Sequence, residues 1–348
     1  MSSEAKWAEL LAQSDADSLF LSWEWLTQWW SYFGARSGWV ANILGFYRGE
    51  SLIGVAPLYQ RVVLRRGLVP ARSVQLIGHS WRDPTPSVAI YLDIIARRGE
   101  TDVVRHACMR ELFDNGRWSE FAIGYTPVGG QWKAAAASRG SVSYYVREPD
   151  HAVSFQADLR LGFSRYLQSL GQSTRRSIWN LRKRLELHGL VRLEQVSIGD
   201  LAEGFRDLNR LHKLRWQRPA FTGARLEFHE SLATQLSARN ELAFSRLRVG
   251  GRVVSVLYDI RKGAYQYNIK LAFDPAFSNQ LSLGLLHLGY ALEAAAQSGV
   301  GVYDLLAGPG RKSDYKRNLS QMRRELSCVQ ILRGRLLPRL YRWHDRVR

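Results

Sequence analysis

The pattern of apolar and polar positions opens with a helical signal in an aromatic stretch. Ser22 is a suitable helix N-cap, and Trp25, Trp29 and Phe33 recur after it at helical spacing until Gly34 ends the run. The spacing predicts a helix from Ser22 to Phe33. Its aromatic face either packs on a core or forms the wall of a ligand site.

Two β-hairpins are predicted where alternating apolar strands flank glycine turns. The first turn is Arg48-Gly49-Glu50 and the second is Gly250-Gly251. Their strands are 40–47 with 52–63, and 241–249 with 253–261. Because both hairpins show the same turn-then-strand pattern, the sequence predicts a degenerate internal duplication.

Strand and helix patterns alternate along the rest of the chain, which favours an α/β (α+β) fold. The further predicted strands are 74–77, 88–94, 118–123, 142–146 and 152–155. The further predicted helices are 102–113, 131–138, 162–170, 174–188, 198–216 and 226–238. Arg147-Glu148-Pro149-Asp150 has the composition of a linker, so a domain boundary is predicted there or just after it.

The last third of the chain predicts a strand, a loop and a helix in an order suited to anion binding. A strand over 264–273 is broken at Asp274-Pro275, a helix follows over 281–297, and another strand covers 302–306. The first turn of a helix has unpaired N–H groups and a partial positive charge, so it can hold a phosphate. The small and polar residues of 278–284 leave room for one, although such residues also serve as ordinary helix caps.

Composition and charge narrow the class of protein. The chain has 348 residues, 46% of them hydrophobic, so it is long enough for two domains and too apolar to be disordered. Its formal net charge of +18 favours an anionic partner: a phosphorylated ligand, a nucleic acid or an acidic membrane face. With only Cys108 and Cys328 no disulfide framework is expected, and without a long uninterrupted apolar stretch a cytoplasmic protein is expected.

Several catalytic classes lack their sequence motifs. The eight histidines show no metal-ligand spacing, so no metal is expected. There is no Gly-x-Ser-x-Gly elbow and neither cysteine carries a nucleophile signature, which argues against a covalent acyl-enzyme. Gly308-Pro309-Gly310 lacks the spacing of a nucleotide-binding loop and predicts a turn.

Three segments carry a resemblance to a known family. They are Trp23-Glu24-Trp25-Leu26, Asp274-Pro275 before Ser282-Leu283-Gly284-Leu285-Leu286, and Tyr303-Asp304-Leu305-Leu306-Ala307-Gly308 followed by Tyr315-Lys316. Over residues 20–332 the chain resembles the tandem GNAT-fold acyltransferases of the CelD type, often labelled BioF2-like, which are relatives of the Fem-type peptidyl transferases. The resemblance implies two GNAT-like domains, each a twisted mixed sheet flanked by helices. They would cover 1–150 and 151–332, with a basic amphipathic tail over 333–348.

The resemblance also implies one acyl-donor site, in the second domain and facing a groove between the domains. Acetyl-CoA or another acyl-CoA is the implied donor, with its pantetheine along the strand over 264–270 and its pyrophosphate on the helix start. The implied donor-binding residues are Lys270, Gln280, Leu281, Ser282, Leu283 and Gly284. The run Asn268-Ile269-Lys270-Leu271-Ala272 departs from the Tyr, Ser and Gly usual in the family, and the segment over 307–314 is longer and more basic.

Three residues near the end of the second domain are candidates for catalysis. Acyl transfer to an amine needs a neutral nucleophile and stabilisation of the developing oxyanion. Asp304 is the candidate to orient or deprotonate the amine, Lys316 to stabilise negative charge, and Tyr315 to donate to the leaving thiolate. Alternatively, Asp304 caps a turn, Lys316 is a solvated lysine and Tyr315 only packs.

The candidate acceptor-binding residues are mostly basic or aromatic. They are Asp83, Arg175, Arg182, Arg215, Trp216, Tyr265 and Tyr267. Arg175 and Arg182 fall in a run over 160–192 in which eight Lys or Arg accompany one acid, Glu186. Such a run is either a solvated face or a surface for a phosphate-bearing substrate or RNA. The resemblance places Arg215 and Trp216, with His212, near the acceptor groove.

The final segment, 331–348, sets apolar side chains at near-helical spacing among arginines. The apolar residues are Leu332, Leu336, Leu340 and Trp343, and Pro338 interrupts them. Such a segment either lies on an anionic lipid surface or docks on the protein itself. Peripheral attachment to the inner membrane face is therefore one expectation.

These observations combine into an expected N-acyltransferase that uses acetyl-CoA or another acyl-CoA. By direct attack it would acylate an amine of a sugar, an amino acid or a cell-envelope or exopolysaccharide precursor. One alternative keeps the fold and takes the acyl group from aminoacyl-tRNA, as Fem-type relatives do. Another is a non-catalytic basic scaffold in exopolysaccharide assembly. The bound ligand, acyl-CoA, tRNA or neither, distinguishes the three.

Overall fold

The computed structural model describes residues 3–83, 86–138, 144–307 and 314–347. The chain divides into two units by its internal contacts. Unit 1 comprises Met1–Ala152 and Glu325–Arg348, and unit 2 comprises Val153–Arg324. The prediction placed 325–332 in the second domain; the structure places these residues in unit 1.

Unit 1 opens with two helices. These and their extensions are α1 (Ser3–Ala12), α2 (Trp23–Trp29), a π-helical turn (Trp30–Gly34) and a 3-10 turn (Ala35–Ser37). Ser22 Oγ accepts a hydrogen bond from the Trp25 N–H at 3.2 Å, which confirms the predicted N-cap. Trp25 and Trp29 are buried, and the Trp29 indole N–H donates to the Ser87 carbonyl oxygen at 2.8 Å. These two aromatic side chains therefore belong to the core of unit 1.

A mixed sheet with further helices completes unit 1. Its strands are β1 (Val40–Arg48), β2 (Ser51–Arg65), β3 (Val69–Leu76), the short β4 (Ile95–Ala96), β5 (Glu120–Thr126), the first part of β6 (Tyr144–Asp158) and β12 (Met322–Arg333). Its other helices are α3 (Thr101–Asn115), α4 (Gly129–Ala137) and α12 (Leu336–Val347). The strand order is β1-β2-β3-β5-β12-β6, with β4 beside β2. β3 and β5 are parallel, whereas β1, β2 and β3 are antiparallel to their neighbours in sequence.

The C-terminal residues join unit 1 because β12 pairs with β5. The antiparallel pairing runs from Ser327↔Thr126 to Leu332↔Glu120. The helix α12 then packs through Leu337 and Tyr341 on a cluster that also contains Ala71 and Leu332. The tail is thus docked on the protein, which was one of its two expected states.

The segment predicted as a linker is instead part of a strand. Arg147-Glu148-Pro149-Asp150 lies inside β6. Arg147 donates to both Asp345 carboxylate oxygens, at 2.7 and 2.8 Å, and to Gln330 Oε1 at 2.9 Å. The linker prediction was wrong because it read polar residues as solvent-exposed when their partners lie far along the chain.

Unit 2 contains mixed strands of the same sheet, which has twelve strands in the described residues, together with flanking helices. Its strands are the second part of β6, β7 (Val191–Gln195), β8 (Leu242–Val249), β9 (Arg252–Lys262), β10 (Tyr265–Phe273) and β11 (Val302–Ala307). Its helices are α5 (Gly162–Ser169), α6 (Gln172–Arg175), a π-helical turn (Arg176–Asn180), α7 (Arg182–Glu186), a 3-10 turn (Ile198–Asp200), α8 (Leu201–Trp216), α9 (Ala224–Ala238), α10 (Leu283–Gln297) and α11 (Asp314–Asn318). The strand order is β6-β11-β10-β9-β8-β7.

The two units repeat one topology. In unit 1 an antiparallel run β1-β2-β3 is followed by α3 and then by β5, which pairs in parallel with β3. In unit 2 the antiparallel run β8-β9-β10 is followed by α10 and then by β11, parallel to β10. The two predicted hairpins thus occupy equivalent places, which supports the predicted duplication.

Two further predicted elements differ from the structure. The apolar run 88–94 is irregular rather than a strand, and Tyr91 has a φ of 60°, outside the β region. The predicted helix over 174–188 is divided into α6, the π-helical turn and α7. Part of the predicted strand 142–146 and the predicted turn Gly308-Pro309-Gly310 lie outside the described residues. Among the described helices, none combines the length and apolar character needed to cross a bilayer.

Candidate functional site

The candidate site begins where β10 and β11 separate. The two strands pair only from Tyr265↔Val302 to Tyr267↔Asp304. After this point β10 bulges between Asn268 and Lys270, and β11 bends at Leu306, whose φ is 56°. Within the described residues β10 has no β11 partner beyond Tyr267, so backbone groups on that edge can meet a ligand.

A cleft of about 550 Å³ opens at this separation, within unit 2. It is bounded by the end of α8, the second half of β10, the start of α10, the end of β11 and α11. The lining residues are His212, Arg215, Trp216, Arg218, Asn268, Ile269, Lys270, Leu271, Phe273, Ser282, Gly284, Leu285, Leu288, Leu306, Ala307, Tyr315 and Lys316. Its volume is that of an ordinary small-molecule site.

The N-terminus of α10 forms one end of the cleft. The helix begins at Leu283 with Ser282 as N-cap, two residues later than predicted, and the Ser282 side chain makes no capping hydrogen bond. The first-turn N–H groups thus lack a side-chain cap and can donate hydrogen bonds to an anion. A Cβ atom on Gly284 would lie 2.8 Å from the Phe273 ring, so only glycine fits against that wall.

The other predicted donor residues before α10 have different surroundings. Leu281 and Leu283 are buried in an apolar cluster of unit 2, so their side chains serve packing. Gln280 is exposed, and its amide oxygen accepts a hydrogen bond from the Arg184 guanidinium. Of the predicted set, Ser282, Gly284 and Lys270 line the cleft, whereas Gln280, Leu281 and Leu283 do not.

Asp304 lies behind the wall of the cleft. It is fully buried, accepting a hydrogen bond from Gln156 Nε2 on Oδ2 and one from the Leu306 N–H on Oδ1, both at 2.7 Å. These bonds hold the bent end of β11 in place. In this structure Asp304 shapes the site without lining it.

Lys316 lines the cleft and is anchored to the same bend. Its Nζ donates to the carbonyl oxygens of Leu305 and Leu306, at 2.7 and 3.1 Å. Burial lowers the pKa of Lys316 to about 8, with Asp304 opposing the shift and Lys270 adding to it. The ammonium is therefore predominantly charged at neutral pH and sits close enough to the Asp304 carboxylate for the two to interact. The solvated-lysine alternative does not describe it.

Tyr315 also lines the cleft, next to Lys316. Burial raises the pKa of its phenol, with Arg215 opposing the shift. The group keeps its proton at neutral pH, so Tyr315 can donate a hydrogen bond into the cleft.

Two predicted acceptor residues at the end of α8 line the cleft. The Arg215 guanidinium lies over the rings of Trp216 and Phe273, 5.0 and 4.7 Å from their centroids. His212 Nδ1 is 2.7 Å from the Arg218 carbonyl oxygen, and the pKa of His212 is lowered mainly by burial. Arg218, which the sequence analysis did not single out, lines the cleft as well.

A buried polar network supports the bulge of β10. Asp259 accepts hydrogen bonds from Asn268 Nδ2 and Gln266 Nε2, each at 2.8 Å, and from the Tyr303 hydroxyl. Burial raises the pKa of Asp259 to about 6, and the three donors oppose the shift. Because the Asn268 amide is fixed through its nitrogen, its oxygen is the group left to meet a ligand in the cleft. Sequence reasoning missed this network because it depends on cross-strand register.

The remaining predicted acceptor residues lie outside the cleft. Arg182 pairs with Glu293 at 2.6 Å between the rings of Trp179 and Tyr290, and Arg175 donates to the Leu170 carbonyl oxygen at 3.1 Å. Both arginines are thus held by the protein itself.

The two predicted tyrosines and Asp83 are also placed elsewhere. Tyr267 is buried and stacks on Tyr265 at a centroid distance of 5.9 Å, and neither lines the cleft. Asp83 belongs to unit 1 and pairs with Arg61 at 2.8 Å. In the described part of the chain no group of three or more His, Cys, Asp or Glu could hold a metal ion.

Comparison with known proteins gives the site its family context. The family model of the acetyltransferase (GNAT) domain matches residues 172–317, a range that contains every residue lining the cleft. A search of proteins with curated functions found no match.

Solved structures resemble the whole chain in fold. A crystal structure of FemX has a TM-score of 0.63 at 10% identity, covering 94% of this chain and 96% of that one. L-PGS from Bacillus licheniformis has a TM-score of 0.52 at 12% identity, covering 99% and 95%. The C-terminal domain of a putative lysylphosphatidylglycerol synthetase from Agrobacterium fabrum has a TM-score of 0.53 at 9% identity, also covering 99% and 95%. At these identities the likeness shows the fold.

The matched domain and the repeated topology agree with each other. The GNAT match falls on the unit whose strands separate to form the cleft, and the FemX likeness extends over both units. Residues 172–317 therefore match an acetyltransferase (GNAT) domain, and the chain as a whole shares the fold of FemX.

Proposed function

We propose that the protein is an N-acyltransferase that uses acyl-CoA, in the first place acetyl-CoA, and acylates the amine of a sugar, an amino acid or a cell-envelope precursor. The observation that carries the proposal is the cleft between β10 and β11, because an open strand edge, an uncapped helix N-terminus and a buried lysine meet in it. Each of these serves a different part of an acyl-CoA reaction.

The donor side of the cleft fits a pantetheine chain and a pyrophosphate. The open edge of β10 beyond Tyr267 supplies N–H and C=O groups for the amides of a pantetheine. Ser282 and the first turn of α10 supply donors for a pyrophosphate, and Gly284 leaves room beside Phe273. Arg184, held against Gln280, adds a positive charge near this loop.

The chemistry requires the amine nitrogen to attack the thioester carbonyl carbon. The new C–N bond forms, the C–S bond breaks, and the proton lost by the amine ends on the CoA thiol. Lys316 stabilises the negative charge that develops on oxygen, because its ammonium lies in the cleft and is shielded from solvent.

Asp304 and Tyr315 assist from either side of Lys316. Asp304 holds the β11 bend through the Leu306 N–H and favours the charged form of Lys316, so it acts as a positioning residue. Tyr315, whose pKa is raised, keeps its proton and donates a hydrogen bond to the leaving sulfur.

An aminoacyl-tRNA donor is the second candidate, and the fold shared with FemX and L-PGS favours it. The exposed basic residues of the α5–α7 region would then contact the RNA backbone. They are Arg165, Arg176, Lys183 and Arg184.

Calorimetry of the full chain with CoA and with bulk tRNA separates the two donors. We expect CoA to bind with a shallow salt dependence. Several phosphates contacted by the basic residues would instead make log K fall by about 0.7 to 0.9 per phosphate with log[salt]. Binding of tRNA with a steep slope, and none of CoA, would replace the proposal by the second candidate.

A further inference from the structure

Lys270 is the cleft residue whose surroundings the acyl-CoA proposal leaves unexplained. It follows the β10 bulge, lines the cleft and places its Nζ 5.6 Å from the centroid of the Phe221 ring. In the described part of the chain no carboxylate pairs with it. Burial lowers the pKa of Lys270, and Arg225 and Arg218 lower it further.

Arg246, a buried cation of the same unit, differs from Lys270 in having carboxylate partners. The Arg246 side chain is almost completely buried and lies within 4 Å of three carboxylates: Glu194 at 2.9 Å, Asp207 at 3.1 Å and Glu203 at 3.4 Å. A buried charge without such a partner is costly. Lys270 is only partly buried, but the charged groups that act on it are cations rather than acids.

The wall of the cleft around Lys270 is positively charged. Arg215 and Arg218 line the cleft with Lys270 and Lys316, and Arg225 lies close enough to affect Lys270. Among the described lining residues there is no Asp or Glu. Such a wall gains stability when an anion enters.

The position of Lys270 separates it from the proposed pyrophosphate site. Leu271 and Phe273, which lie 3.3 and 2.8 Å from a Cβ placed on Gly284, share one face of β10, and Lys270 alternates to the other face of the strand. Toward the other end, Lys270 adjoins Asn268 and interacts electrostatically with Lys316, the residue proposed to meet the reacting carbonyl.

We infer that Lys270, with Arg218, binds a carboxylate or phosphate group on the acyl acceptor, so that the substrate is an acidic amine rather than a neutral one. Lys270, assigned to the donor in the sequence analysis, is thereby moved to the acceptor. Asn268 lines the cleft and its amide nitrogen donates to Asp259, so its amide oxygen would accept a hydrogen bond from the amine. The acidic group and the amine of one molecule would thus be held at two neighbouring points of β10.

The inference rests on the proposed function, so its test begins with calorimetry of CoA binding to the wild-type full chain. With CoA bound, succinate and inorganic phosphate are titrated at fixed ionic strength, and succinamide serves as the neutral analogue. We expect one of the two anions to bind and succinamide not to bind. Succinate binding indicates a carboxylate on the acceptor, and phosphate binding indicates a phosphate.

Lys270→Met keeps most of the side-chain length against Phe221 and removes the charge. It should weaken anion binding about tenfold or more, the loss expected for one charge-assisted hydrogen bond, and leave CoA affinity unchanged. Lys213→Met is the matched control, because Lys213 is exposed on the same end of α8 and does not line the cleft. It should leave both affinities unchanged.

The possible failures are distinguishable. A wild-type chain that does not bind CoA removes the proposed function. A chain that binds CoA but neither anion, or whose anion affinity survives Lys270→Met, overturns the inference alone. Loss of CoA affinity in Lys270→Met returns Lys270 to the donor site and likewise overturns it.

Discussion

Units 1 and 2 share one topology but differ where their parallel strands part: unit 2 has a cleft of about 550 Å³ there, whereas in unit 1 described residues of the chain itself lie against β5. The difference lies in the connection between the third strand and the following helix. In unit 2 it is the loop 274–282, which leads directly into α10. In unit 1 it is the segment 77–100, whose described part contains β4 and residues that contact β5.

In unit 1, two contacts bring the segment 77–100 against β5. His79 lies against Gly124 of β5, so closely that a Cβ on that glycine would be 2.2 Å from its Nδ1. The Tyr91 N–H donates to the Tyr125 carbonyl oxygen at 2.8 Å. The chain itself thus occupies the edge of β5 that corresponds to the open part of β11.

The two units also differ in the charged residues at these equivalent positions. By the register of the parallel pairs, Ala122 of β5 stands where Asp304 stands in β11. The helix α3 has Glu100 at its N-cap position, paired with Arg48 at 2.6 Å, where α10 has Ser282. A carboxylate there disfavours a phosphate. The same topology therefore has an open cleft beside its parallel strands in unit 2 and contacts from the chain itself at β5 in unit 1.

The largest effect that we expect is the loss of turnover after substitutions at the unit 2 cleft. Lys316→Ala should lower kcat about 100-fold, the usual loss for one oxyanion donor, with CoA affinity little changed. Asp304→Asn should also lose turnover, because one of the two accepting oxygens becomes an NH2 group, which cannot accept the hydrogen bond from Gln156 or from the Leu306 N–H. Steady-state kinetics with calorimetry checks both. The control is Lys133→Ala in unit 1, and full turnover in both unit 2 variants would place the chemistry elsewhere.

The pH dependence of the same step provides a separate prediction. Because burial lowers the pKa of Lys316 to about 8, its ammonium loses the proton as pH rises through that value. The rate should therefore fall above pH 8. Lys316→Arg, which stays charged, should abolish this fall even if its rate is lower overall. An unchanged alkaline limb in the arginine variant would assign the titration to another group.

Acid should weaken both units through buried histidines, which are His79 in unit 1 and His229 and His287 in unit 2. Burial lowers the pKa of His79 in unit 1 to about 4 and that of His287 in unit 2 to about 3. Below pH 6.5 the unfolded chain binds protons that these native histidines do not, so the free energy of unfolding falls as pH falls. The loss between pH 7 and 5 should be about 2 kcal/mol for each histidine.

Urea unfolding at the two pH values measures this loss. His287→Gln can keep hydrogen bonds to Ser245 and Ser255, which contact the two imidazole nitrogens at 2.9 Å. That variant should remove its share of the pH dependence, as His79→Gln should in unit 1. An unaltered difference between pH 7 and 5 in both variants would contradict the assignment.

Adding one methyl group at a glycine should lower the affinity for CoA when it is made in unit 2 and not when it is made in unit 1. Gly284→Ala places a Cβ 2.8 Å from the Phe273 ring and should reduce CoA affinity about tenfold by moving the first turn of α10. Gly54→Ala in unit 1 is the matched variant, since its Cβ would lie 2.5 Å from Val104. Calorimetry should show lowered CoA affinity only for Gly284→Ala, although both variants lower the melting temperature. Equal CoA affinity in the two would remove the helix start from the donor site.

The sequence predicted features that depend on neighbouring residues. The Ser22 cap, both hairpin turns and the strand-loop-helix order of 264–297 follow from local periodicity and turn chemistry, and the structure contains them. The prediction of a strand over 88–94 was wrong. A short apolar run has the same composition in a strand and in a buried irregular segment, so the pattern cannot distinguish the two.

Partners distant in sequence account for the other differences. Arg182 was expected at a binding surface, but Glu293 from α10 neutralises it. Asn268 was seen only as a departure from the family, because its link to Asp259 depends on the pairing of β9 with β10. Lys316 and Tyr315 were found because a resemblance pointed to them, whereas the burial that gives them their properties comes from tertiary packing.

The smallest expected effect concerns a membrane surface, and it belongs to unit 1. Leu336, Leu340 and Trp343 are the residues expected to insert into lipid: Leu340 packs on the apolar cluster that contains Leu337 and Tyr341, whereas Leu336 and Trp343 are 73% and 66% exposed. Arg335, Arg339 and Arg346 are exposed beside them and can meet lipid phosphates at about 1 kcal/mol each.

Deleting α12 would expose the apolar cluster on which it packs, so the test is the double substitution Leu336→Ser with Trp343→Ser. This variant should lower binding to vesicles containing phosphatidylglycerol about fivefold, with melting temperature and CoA affinity preserved. Flotation that is equal to wild type, or insensitive to salt, would confine α12 to packing and leave the positive charge of the chain to be explained by the anionic ligands of unit 2.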